Sequence, residues 1–105
     1  MTTEMKMVMT TVGSTDAAEK ISVLLINRRL AACVQEISIN SRYRWKGKVN
    51  TDPEFMLLIK TASDRVEDVI AAIHEVHPYD LPEIICIPVI GGLPDYLSWV
   101  HDETR

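Results

Sequence analysis

Hydrophobic and polar positions along this chain follow two different periods, and the switches between them mark its elements. Lys6 to Val12 (KMVMTTV) is a short β-prone run closed by Gly13, which predicts a first strand. Ser14, Thr15 and Asp16 are candidate helix N-caps, and Glu19 is placed to complete a capping box with Asp16. Ala17, Ile21, Leu24, Leu25 and Leu30 then recur at helical spacing, so a helix ending near Arg29 turns one apolar face to a sheet. From Ala32 to Trp45 the period becomes two. Gln35, Ile37, Ile39, Ser41, Tyr43 and Trp45 face one way, and Glu36, Ser38, Asn40, Arg42 and Arg44 the other. At about 3.3 Å per residue such a strand extends to about 45 Å, longer than the body of a domain of about 100 residues. Part of it must bend or project.

Lys46, Gly47 and Lys48 supply a turn, and Pro53 leads into the apolar run Phe55 to Ile59, which reads as a central strand buried on both faces. The two strands make a long hairpin. Ser63 is a candidate cap for a second helix, whose Val66, Val69, Ile70, Ile73 and His77 share a face before Pro78 stops it. Glu83 to Ile90 predicts a fourth strand, in which Pro88 demands an edge or a bulge. Gly91, Gly92 and Pro94 turn the chain into a last short helix with Tyr96, Leu97, Trp99 and Val100. The fold class is therefore α+β: a ferredoxin-like βαββαβ antiparallel sheet with helices on one face, a long hairpin between its second and third strands, and a short C-terminal helix. The other sheet face still carries apolar side chains, and a second copy of the chain is the simplest cover for it.

Composition narrows the class of partner. At 105 residues the chain is expected to form one domain, 1–105. A net charge of −4 and one Phe argue against nucleic acid as a partner, since the basic stripe and aromatic strand motif of RNA-binding sheets are both missing. The N-terminal stretch has no apolar run of signal-peptide type and no segment is apolar enough to span a membrane, so a cytoplasmic protein is expected. Cys33 and Cys86 are too few for a disulfide framework and read as buried free thiols.

Several segments together resemble the CutA divalent-cation tolerance family: Leu30-Ala31-Ala32-Cys33-Val34, Tyr43-Arg44-Trp45-Lys46-Gly47, Lys60-Thr61, His77-Pro78-Tyr79-Asp80-Leu81-Pro82-Glu83-Ile84 and Asp95-Tyr96-Leu97-Ser98-Trp99. They occur in the family's order and cover nearly the whole chain. The resemblance implies a tight homotrimer, an architecture similar to PII-like signalling proteins, and a role in tolerance of copper and other divalent ions. It also implies copper ligands at a histidine pair and a first-strand cysteine, positions where this chain has Val76 beside His77, and Thr10.

His77 is accordingly the metal-ligand candidate, because neutral imidazole suits copper and zinc; copper or another divalent ion is the expected ligand, and none is required for folding. Met5, Met7 and Met9 share a strand face and could present thioethers, but read as core filler beneath a helix. Trp45, Lys60, Tyr79 and Glu83 form a second constellation. The third strand ends at Lys60 and the fourth begins at Glu83, so one cleft, within the chain or between subunits, could gather them around a small anionic or carboxylate ligand. Glu36, Arg42 and Arg44 read as a hydrated or intersubunit ion-pair face. No Gly-rich phosphate loop, HExxH helix or nucleophile elbow is present, and Cys86 reads as inert interior, so the chain is not expected to be an enzyme. The alternative to metal tolerance is a PII-like module that binds a small metabolite or a protein partner in clefts between subunits.

Overall fold

The computed structural model describes residues 4–105. Its strands are β1 (Met5–Val12), β2 (Cys33–Trp45), β3 (Lys48–Ala62) and β4 (Ile84–Val89), and its helices are α1 (Thr15–Asn27), α2 (Val66–Val76) and α3 (Pro94–Asp102). The strands form one sheet in the order β2-β3-β1-β4, with every neighbouring pair antiparallel. The α+β, ferredoxin-like arrangement read from the periodicity is the observed one.

The core lies under α1 and α2. Val8, Val12, Leu57 and Ile59 from the two central strands are fully buried against Ala18, Ile21 and Leu25 of α1 and Val69 and Ile73 of α2. Register explains the sharing of a face, since Val8 pairs with Ile59 and Ile59 with Val34. β3 is longer than the apolar run predicted for it, and it is not equally buried on both faces. Leu57 and Ile59 are buried, whereas Met56 and Leu58, which alternate with them, are half-buried, because the second sheet face is only partly covered.

That second face holds the other departures from expectation. Met5, Met7 and Met9 lie on it, opposite the residues that meet α1 and α2, so they do not sit beneath those helices; Met5 is buried and the other two are half-buried. α3 reaches this face as well, since Lys60, which alternates with Ile59, holds its ammonium 5.6 Å from the centre of the Tyr96 ring. Helices therefore meet both faces. Ile37, Ile85 and Ile87 remain 48%, 46% and 37% exposed there. Cys86 is exposed on edge strand β4, not interior, because no strand among the described residues flanks β4 on its outer side. Pro88 occupies the same edge strand, where a missing N–H is tolerated.

β1 ends opposite Phe55, yet β2 and β3 continue together through seven more pairs, from Ile39–Glu54 to Trp45–Lys48. Pro53 falls where β1 has just stopped and β3 has no partner on that side. The ribbon closes through Lys46 and Gly47 at φ of 49° and 78°, the left-handed pair of a type I′ turn whose twist matches the strands. It gives the molecule its extents of 48 × 25 × 21 Å.

Helix ends also differ in detail. Ser14 caps α1 by accepting the Ala17 N–H at 3.1 Å, so the Asp16–Glu19 box does not form and Asp16 lies in the first turn, where its charge suits the dipole. Ser63 does not cap α2. It opens a 3-10 turn, Ser63–Arg65, and its hydroxyl faces the Glu4 carboxylate at 3.4 Å. The chain end is tied down by arginines: Arg29 donates to the carbonyls of Asp102 and Arg105, Arg65 to that of Thr104, and Arg105 grips the Asp64 carboxylate with two N–H groups.

Candidate functional site

The site begins where α2 stops. His77 is its C-cap, extended at φ −69° and ψ 132°, with its own N–H on the Ile73 carbonyl at 2.9 Å. Pro78 then directs the chain back over the end of β1. The His77 ring is held on both sides: Nε2 donates to the Thr11 carbonyl at 2.9 Å, and Nδ1 accepts the Tyr79 N–H at 3.2 Å. These roles require the neutral ring, and burial pushes its pKa below the usual value. The Tyr79 ring packs edge-on against it at 4.9 Å.

Tyr79 is thereby aimed across the sheet end. Its hydroxyl donates to Glu54 Oε2 at 2.7 Å. Gly13 makes room for it, because a Cβ there would stand 3.0 Å from that hydroxyl. Glu54 lies on the second sheet face, opposite Ile39, and is only 9% exposed. Two pairs further out on the ribbon, the Tyr43 hydroxyl donates to Asp52. Both phenols have raised pKa values. For Tyr43 the bond to Asp52 is the leading cause, and for Tyr79 burial leads, followed by Glu54.

These groups border a cleft of about 590 Å³ between the ribbon and the loop after α2. Trp45, Tyr79 and Glu83 all line it, together with Tyr43, Glu54, Arg42, Arg44, Asp80 and Leu81. Lys60 does not. β3 and β4 both run antiparallel to β1, so Lys60 aligns with Met7 and Ile87 near the far end of β4, not with its start at Glu83. Strand direction therefore keeps Lys60 and Glu83 apart within one chain, and a cleft that joins them needs two subunits. Glu54 and Tyr43 were not singled out from the sequence. A signal existed for Glu54: it alternates with Met56 and Leu58, a lone carboxylate at the head of an apolar stripe.

A family model described as CutA1 divalent ion tolerance protein matches residues 6–103. The chain belongs to this family. It is 44% identical over 89 residues to mouse Protein CutA, covering 84% of this chain and 50% of that one. It is 37% identical over 100 residues to the divalent-cation tolerance protein CutA of Thermus thermophilus, covering 94% and 97%. The solved periplasmic divalent cation tolerance protein CutA of Archaeoglobus fulgidus superposes with a TM-score of 0.94 at 32% identity, covering 96% and 99%. The chain spans about half the length of the mouse, Arabidopsis and Xenopus relatives it matches.

The divalent ion that such names suggest finds no ready centre among the described residues of one chain. Both His77 nitrogens are engaged, and no group of three His, Cys, Asp or Glu residues among the described residues is arranged to hold an ion. Thr10 offers a fully buried hydroxyl with no hydrogen-bond partner among the described residues, set among Val8, Leu57 and Ile84, and a neutral hydroxyl is a poor copper ligand. No helix among the described residues is long and apolar enough to cross a membrane.

Proposed function

We propose that this chain acts in divalent-cation tolerance as a non-catalytic homotrimer in the cytoplasm, binding copper and other divalent ions weakly and folding without them. One observation carries the assembly: a projecting ribbon and a half-covered sheet face leave Val49 66%, Ile37 48% and Ile85 46% exposed. Apolar surface of this kind, next to unpaired strand edges, favours burial by further copies. The number three comes from the resemblance to the family. Weak metal binding follows from the histidine, which gains a free lone pair only by giving up a bond to Thr11 or Tyr79. Two free thiols, one exposed, suit a reducing compartment. The relatives include a chloroplastic and a periplasmic protein, so thiol labelling in cells is the check on location.

Light-scattering mass measured on dilution tests the assembly. Three chains at micromolar concentration is the expected result, and a single chain overturns it. Calorimetric titration with Cu²⁺ and Zn²⁺ tests the metal. A small stoichiometric heat that falls further in His77→Gln is expected, whereas no heat, or heat indifferent to the substitution, removes metal binding through His77.

A further inference from the structure

The cleft beside Tyr79 is lined by aromatic rings and carboxylates that the metal binding proposed for His77 does not involve. Directly opposed residues of β2 and β3 share a sheet face, so Ser41 with Asp52, and Ile39 with Glu54, place Tyr43, Trp45, Asp52 and Glu54 on one side of the ribbon. Tyr79 closes over them from the loop. Glu54 is nine-tenths buried, and only one of its oxygens takes a hydrogen bond among the described residues. Asp80 and Glu83 at the mouth have no ion-pair partner there either. Arg42 and Arg44 border the cleft, but they alternate with Tyr43 and so start from the opposite face of the ribbon.

We infer that this cleft binds a substituted ammonium group, held by Glu54 and enclosed by the rings of Tyr43, Trp45 and Tyr79. Three physical points support that class. The second Glu54 oxygen opens into the cleft and not into the core, so a cationic or N–H partner can take the place of water on it. Aromatic faces attract a cation whose charge is spread over C–H groups. Each tyrosine hydroxyl also leans its proton toward a carboxylate, which leaves its ring richer in electron density and a better face for positive charge. A bare divalent ion needs several oxygen or nitrogen ligands instead, and the described residues supply no cluster of three. The cavity of about 590 Å³ is in the range of small-ligand sites.

The test uses the full chain in its native assembly, with the two indole N–H signals followed by NMR. Tetramethylammonium or butylammonium is expected to shift the Trp45 signal saturably while Trp99 stays still, at constant ionic strength. The neutral isostere tert-butanol is expected to do nothing at the same concentration. Glu54→Gln, which preserves the Tyr79 bond, and Trp45→Leu, on an exposed ribbon site, are each expected to weaken the response about tenfold. Nα-acetyl-lysine amide against Nα-acetyl-norleucine amide separates a protein lysine from a free amine as the source. Equal shifts with tert-butanol, no saturable shift at all, an unaltered response in Glu54→Gln, or shifts with Zn²⁺ alone would each overturn the inference. None of these outcomes bears on the mass or the metal heats above.

Discussion

The two faces of the sheet use similar residues to different ends. Under α1 and α2, Val8, Leu57 and Ile59 are fully enclosed, and the register that brings them together is set by strand pairs on both sides. On the other face the same alternation places Ile37, Ile85 and Ile87 beside Met7 and Met9, and much of that surface stays in water. One face is finished within the chain. The other is finished only where α3 crosses it, and its unfinished part merges into the ribbon and the cleft. Apolar patterning therefore tells which residues avoid water without telling which molecule shelters them.

The sharpest test of this contrast is a matched pair of truncations. Leu57→Ala leaves a cavity under the helices and is expected to cost about 3 kcal/mol in urea unfolding. Ile85→Ala should cost far less in any state where the second face is open. An equally large loss at Ile85, growing with protein concentration, would show that neighbouring copies complete that face. At the cleft, Tyr79→Phe removes the hydroxyl from a nearly buried Glu54 carboxylate and should cost about 1–2 kcal/mol by the same measurement. No loss would mean that water already serves Glu54. Thr10→Val works in the opposite direction. It replaces a buried hydroxyl that has no partner with a methyl group of the same shape, so a gain of about 1 kcal/mol is expected. A loss would reveal a hydrogen bond that the core provides after all.

The smallest effect is the pH dependence. Burial lowers the His77 pKa from its usual 6.5, so the unfolded chain takes up the proton before the folded one. The stability from the neutral ring is present above about pH 6.5 and is lost as pH falls through the lowered folded value. His77→Gln should flatten that part of the stability profile, and an unchanged slope would assign it to other groups. Protonation also turns Nδ1 into a donor facing the Tyr79 N–H, so the loop over the cleft should loosen over the same range.

Much of this was legible from residue order alone, for identifiable reasons. The period-two run ending at Trp45 announces a strand longer than the domain, and Pro78 and Pro88 announce a helix stop and an edge strand, because these are local constraints on backbone geometry. The His77 to Ile84 segment offered site candidates in His77, Tyr79 and Glu83 by residue type alone. That Cys86 is exposed, where Lys60 goes and why Glu54 is buried were not legible. Each depends on strand direction and on contacts between residues far apart in the chain.

By itself, then, the sequence determined the elements, their order, the α+β class and the family, since hydrophobic period and turn residues act over a few positions at a time. Only the tertiary structure decided that Lys60 lies away from the cleft within the chain, that His77 spends both ring nitrogens on the main chain of Thr11 and Tyr79, and that Glu54 meets Tyr79. Those outcomes come from pairing register and loop closure, which bring together groups that no local pattern connects.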